Sequence, residues 1–245
     1  SNVVATDTMK NFVLRKGLEY EGSTLEGFLD FLGRQFLATY PQMHTLRLTG
    51  KERPFIAARV PVEGGDFGDS SALYSRSHND YAIASLDFTR QGDGVEIVGH
   101  KCGRAALQLI KLTGSAFASF VRDEFTTLPE RVDRPLHIYM DVYWKYAEVE
   151  QAVSADLSKY VAAEQVRDLC QVTFHDFVSM SIQHLLYEIG KRLLARFPQL
   201  DEVSFEAQNR LWDTAFVSDA DERLKVYTDP RPPYGSIKLA LTRDE

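Results

Sequence analysis

One stretch of this chain occurs twice. Gly33-Arg34-Gln35-Phe36-Leu37-Ala38-Thr39-Tyr40-Pro41-Gln42-Met43 matches Gly190-Lys191-Arg192-Leu193-Leu194-Ala195-Arg196-Phe197-Pro198-Gln199-Leu200 in pattern, at a constant offset of 157 from Tyr40 to Phe197. A long-range echo of this kind implies two copies of one supersecondary unit. Ahead of each copy lies a helical pattern. Leu25, Phe28, Leu29, Leu32, Phe36 and Leu37 share one face at 3.6 spacing, as do Ile182, Leu185, Leu186, Ile189, Leu193 and Leu194. Ser23 stands three positions before Glu26, which predicts a capping box for the first helix. The aromatic-Pro pair ends each helix, because proline cannot continue the backbone ladder.

Strand patterns surround these helices. Thr45-Leu46-Arg47-Leu48 and Val203-Ser204-Phe205 alternate after the two prolines. Tyr81–Phe88 and Val95–His100 flank Gly92-Asp93-Gly94, a hairpin signal, and Leu107–Leu112 continues the sheet. His137–Trp144 reads as another strand, with Leu169–Phe174 as its partner. The second unit is thus expected to run strand, strand, helix, strand, strand. The first shows only Val3-Val4-Ala5 before its helix, and by symmetry a strand and a hairpin connection are expected to be missing ahead of Ser1. Antiparallel strands with helices on one face make an α+β fold. The division is expected at 1–132 and 133–245.

Composition narrows the function. A net charge of −7 argues against nucleic acid, which needs a positive surface. The two cysteines, Cys102 and Cys170, lack metal-ligand spacing and read as buried reduced thiols. No apolar run reaches membrane-spanning length and no signal peptide is visible, so a cytoplasmic location without membrane contact is expected. Neither a Gly-rich phosphate loop nor a zinc pattern occurs; no cofactor and no metal are expected.

Four motifs then carry a resemblance. Val4-Ala5-Thr6-Asp7-Thr8-Met9-Lys10-Asn11 is the first. Gly114 to Leu128, with Asp133-Arg134 following, is the second. Ser181-Ile182-Gln183 with Leu186-Tyr187 is the third, and Pro233-Tyr234-Gly235-Ser236-Ile237 the fourth. In order and at these separations they resemble the urate oxidase (uricase) family of the tunnelling-fold superfamily. The resemblance implies cofactor-independent oxidation of a purine-like ring by dioxygen, in a tetramer whose barrel encloses a tunnel. It places the ring against Phe117, with Arg134, Gln183 and the Ile182 backbone amide on its edge. Thr6 and Asp7 would come from a neighbouring subunit, and Asn209 would hold dioxygen or water over the ring. Read without the family, each has a plainer role. Phe117 would be core, Arg134 a surface ion pair with Asp133 or Glu130, Gln183 a solvated helix start, Thr6-Asp7 a strand end and Asn209 a turn residue.

The chain departs from the family at Asn209-Arg210-Leu211-Trp212-Asp213. The family's relay histidine is Leu211 here, and leucine cannot pass a proton. The relay's lysine falls in the part expected to be missing, so Thr6 is the visible member. Two readings stay open: a divergent oxidase, or a non-catalytic binding or assembly protein. His44, His78, His100, His137, His175 and His184 are the available replacement bases, and nothing in the sequence selects among them.

Overall fold

The computed structural model describes residues 3–76, 78–92 and 94–243; Ser1 and the hairpin's Asp93 lie outside the described residues. Its helices are α1 (Thr6–Lys16), α2 (Leu25–Thr39), α3 (Glu150–Val153), α4 (Ala163–Asp176) and α5 (Ile182–Arg196). Its strands are β1 (Thr45–Lys51), β2 (Phe55–Pro61), β3 (Phe67–Arg76), β4 (Tyr81–Gln91), β5 (Gly94–Lys111), β6 (Leu136–Tyr146), β7 (Leu200–Arg210), β8 (Thr214–Val217), β9 (Lys225–Tyr227) and β10 (Ile237–Thr242). Six of them form one antiparallel sheet in the order β1-β4-β5-β6-β7-β10.

Period-2 patterning decides which face of that sheet is dry. Ala84, Cys102, Trp144 and Val203 stand in one register row across four strands, each fully buried. Along β6 the buried residues are Leu136, Ile138, Met140, Val142, Trp144 and Tyr146, while His137, Tyr139, Asp141 and Tyr143 alternate onto the open face. Helices cover the dry face. Leu29 and Leu37 of α2 pack with Leu86 and Phe88, and Leu185, Ile189 and Leu193 of α5 share a core with Ile138, Met140 and Val142. This is the expected α+β arrangement.

The repeat extends to the backbone. α2 and α5 begin and end 157 residues apart. Hydroxyls cap both: Thr24 accepts from the Gly27 amide and Ser181 from the His184 amide, each at 3.1 Å. Their C-caps have nearly the same dihedrals, φ −120°, ψ 81° at Tyr40 and φ −117°, ψ 83° at Phe197. A glycine seats each helix on its sheet. A Cβ at Gly33 would stand 2.4 Å from the Phe88 ring, and one at Gly190 2.8 Å from Leu241. Each helix is followed by a strand that enters an antiparallel pair, β1 with β4 and β7 with β10.

Several local expectations are corrected. Residues 169–174 are helical, inside α4: Ala163, Val166, Cys170, Thr173 and Phe174 are buried at helical spacing, which outweighs the β-rich local run. Residues 3–5 form no strand, and the chain enters α1 at Thr6, so Thr6-Asp7 is a helix start. The cap of α2 is Thr24, one residue later than the box predicted. Residues 95–111 belong to one long strand, β5, kinked between Arg104 and Leu107 with Ala106 at φ 60°, and Leu112 lies just past its end. Cys102 and Cys170 are buried and unpaired.

Glu26, freed from any capping role, is buried against the second half of the chain. It accepts a hydrogen bond from the Tyr160 hydroxyl at 2.9 Å, and burial raises its pKa above 4.5. A carboxyl that holds its proton more tightly when folded contributes most below the unfolded pKa. That contribution is lost as pH rises through the folded value. Glu26→Gln should therefore gain stability relative to the parent chain between pH 4 and pH 8. A melting-temperature difference that does not change with pH would contradict this.

Candidate active site at one end of the sheet

β5 ends at Lys111 and β6 begins at Leu136; the loop between them is folded back on itself by backbone bonds. The Arg134 amide donates to the Ser115 carbonyl at 2.9 Å, and Phe117 and Arg131 exchange bonds of 2.7 and 2.9 Å. The Ala116 amide donates to the Ser179 carbonyl at 2.8 Å, which ties the loop to the segment entering α5. Two carboxylates brace the same loop. Asp133 accepts from the Thr113 hydroxyl and the Gly114 amide, both at 2.7 Å, and these bonds hold its pKa below the usual range. Glu130 accepts from the amide of Ser119, a non-glycine residue at φ 61°.

This folding brings Arg134 over the Phe117 ring, at 5.3 Å from its centre. Phe117 stacks in turn on Phe120 at 4.6 Å with planes 23° apart. Phe117 is half-buried and presents an aromatic surface beside a cation. Arg134 makes no ion pair among the described residues, because Asp133 and Glu130 spend their oxygens on backbone amides and a hydroxyl. Its Nε is shielded from solvent without a hydrogen-bond partner, and burial, then the charge of Arg131, lowers its pKa. A partly desolvated guanidinium with free donors on an aromatic ring can receive the edge of a planar, hydrogen-bonding anion.

Helix α5 starts beside this pair. Ile182 is buried and Gln183 exposed in its first turn, where the amides have no partner within the helix. Asn209 lies at the end of β7, opposite Ile138, on the face that the helices cover. Since β7 runs back along α5, Asn209 is carried to the end where α5 begins. Phe117, Arg134, Ile182, Gln183 and Asn209 thus gather at one end of the sheet. Thr6 and Asp7 do not. Phe12 of α1 packs against Phe36 and Tyr40 at the far end of α2, near the β4–β5 turn. Within this chain Asp7 pairs with Lys10 at 2.6 Å and Asn11 at 2.9 Å.

The uricase family model matches residues 100–238. The chain belongs to the uricase family. It is 42% identical over 245 residues to the uricase of Halalkalicoccus jeotgali, covering 100% of this chain and 79% of that one. It is 44% identical over 243 residues to the uric acid degradation bifunctional protein PucL of Bacillus subtilis, covering 99% of this chain and 49% of that protein. It superposes on the crystal structure of Bacillus sp. TB-90 urate oxidase with a TM-score of 0.94 at 44% identity, over 99% of this chain and 80% of that one. The chain therefore spans about half the length of the bifunctional relatives it matches.

Within the uricase framework the candidate bases separate. His100 accepts the Tyr146 amide at 2.8 Å, a structural role, and burial lowers its pKa. His137 faces Arg210 on the open side of the sheet and packs edge-on to Trp212, away from the Asn209 face. His184 accepts the Met180 amide at 3.3 Å and stands next to Gln183 at the start of α5. Leu211 follows β7 and offers its carbonyl to the Arg231 amide at 3.0 Å. The braces Asp133 and Glu130 were not legible as such. Their sequence signal, acids near an arginine, pointed to ion pairs. No helix among the described residues is long and apolar enough to cross a membrane.

Proposed function

We propose that this chain carries out cofactor-independent oxidation of urate or a related purine-like heterocycle by dioxygen. The balanced change consumes the heterocycle, one dioxygen and one water. It releases a 5-hydroxyisourate-type product and one hydrogen peroxide. An electron-rich urate anion can itself reduce dioxygen, so the protein need only bind, orient and manage protons. The observation that carries this reading is Arg134 over Phe117, unpaired while its two acidic neighbours brace the loop. The ring would stack on Phe117, with Arg134, Gln183 and the Ile182 amide on its edge. The Asn209 amide would face dioxygen or water, and Thr6 and Asp7 would complete the site from a neighbouring subunit. Their position at the far end of the sheet supports a shared site. The sheet edges β1 and β10, unpaired among the described residues, support closure into a barrel, for which we propose a homotetramer. A cytoplasmic setting and the two-unit division, 1–132 and 133–245, complete the proposal.

A second reading, a purine-binding or assembly protein without turnover, is favoured by one observation. Leu211 stands where a proton-relay histidine belongs. One experiment separates the two. Urate added to the chain under nitrogen should raise its melting temperature, and admitting dioxygen should then bleach the near-ultraviolet band of urate and release peroxide. Stabilisation without bleaching selects the binding reading. Neither effect would count against the site itself.

A further inference from the structure

Lys111, the last residue of β5, makes contacts that the reading above does not use. Its Nζ donates to three carbonyl oxygens at the end of α4: Phe174 at 2.8 Å, His175 at 3.2 Å and Phe177 at 2.8 Å. It also lies 5.7 Å from the Phe174 ring centre. A helix C-terminus leaves its last carbonyls without partners and carries partial negative charge. Many helices meet that need by turning through a left-handed residue, after which backbone amides reach back. α4 does not: Phe177 leaves it extended, at φ −139° and ψ 160°. A cation from the neighbouring strand supplies the cap.

We infer that Lys111 is a positioning residue for the proposed site, rigidly joining the end of β5 to the α4–α5 corner and so fixing where Gln183 stands. The link is short. Phe177 is followed by Ser179, whose carbonyl receives the Ala116 amide, then by Ser181, which caps α5, and by Gln183 in its first turn. The Phe117 loop leaves the sheet past the same lysine. A Cβ on Gly114 would stand 3.2 Å from the Lys111 Cε, and Gly114 sits at φ 75°, so only glycine passes there without strain. One ammonium thus references both walls of the site, the Phe117–Arg134 loop and the α5 N-terminus, to the same strand. Loss of it frees the α4–α5 corner to shift, and small displacements of a substrate grip are costly in rate. A second link across the corner, Arg192 to Asp176 at 2.8 Å, is partly solvated and serves as a control.

This inference rests on the proposed function, and its test separates the two. Lys111→Met, Lys111→Arg and Arg192→Gln are compared with the parent chain by urate kinetics and by amide hydrogen exchange. Lys111→Met should lower kcat/KM by about tenfold to a hundredfold and speed exchange at residues 179–185. Lys111→Arg should largely restore both, and Arg192→Gln should change neither. If the methionine variant does not fold, Lys111→Gln takes its place. A Lys111 variant with a lower melting temperature but parental KM, kcat and exchange at 179–185 would make the cap merely structural and overturn the inference. If the parent chain turns over no urate, the functional reading fails, and exchange at 179–185 alone decides the role of Lys111.

Discussion

Arg134→Ala should abolish urate-induced stabilisation and lower kcat/KM by on the order of a hundredfold or more, since truncating one partner of a charge pair that the bound ring would bury costs about 2–5 kcal/mol. Its effect on the free protein should be the reverse of most arginine truncations. Arg134 has no carboxylate partner, and burial and the nearby Arg131 charge disfavour its charged form. Holding an unpaired cation there costs the folded state free energy. The ligand-free variant should therefore melt at the same temperature as the parent or higher. The proposed binding role is what would offset that cost. A variant that melts well below the parent, with parental urate kinetics, would return Arg134 to a structural role.

The second large effect falls on stability. Arg104 is 1% exposed and donates to Asp80 at 2.6–2.7 Å, to Glu164 at 3.0 Å and to Glu52 at 3.4 Å. It sits where β5 kinks, and through Glu164 it ties the strand to the first turn of α4. Glu52 and Glu164 are partly solvated and can relax into water, whereas Asp80 is buried. Arg104→Ala should cost about 3–5 kcal/mol, mainly by stranding Asp80, and lower Tm by on the order of 10 °C. Pairing Arg104→Met with Asp80→Asn should recover part of that loss, because it removes the stranded charge as well. Equal destabilisation by single and double variants in thermal unfolding would show that Asp80 is not the source.

What could be read from the residues divides along physical lines. α2 and α5 were legible because each buries one face of an amphipathic stripe, and their equivalence follows from repeated residues. β6 was legible because it is dry on one side only. α1 was not, since none of its residues is buried and its sequence carries no apolar stripe. α4 was mistaken for a strand because Val172-Thr173-Phe174 has local β preference, while its helical burial appears only over the longer span from Ala163. The β2–β3 ribbon buries no residue fully and alternates only over short stretches, so its sequence carries little signal.

The site divides in the same way. Phe117, Arg134, Gln183 and Asn209 were named by resemblance, since no spacing rule places residues so far apart in sequence at one end of a sheet. Phe117, Arg134 and the start of α5 are joined by the Ser115–Phe117 bonds to Arg131, Arg134 and Ser179, made by backbone atoms that carry no side-chain signature, and Asn209 is placed by the pairing of β7 with β6. Asp133 misled for a related reason. An acid beside an arginine suggests an ion pair, yet its oxygens are better used on Thr113 and Gly114, and that choice leaves Arg134 free.

Dioxygen as electron acceptor without a cofactor can be checked with isotopically labelled dioxygen and urate on metal-depleted protein. If water attacks the oxidised ring, both labelled atoms should leave together in hydrogen peroxide, one per urate consumed, and the product should carry none. Label in the product, or no urate consumption by the metal-depleted chain, would rule out this route.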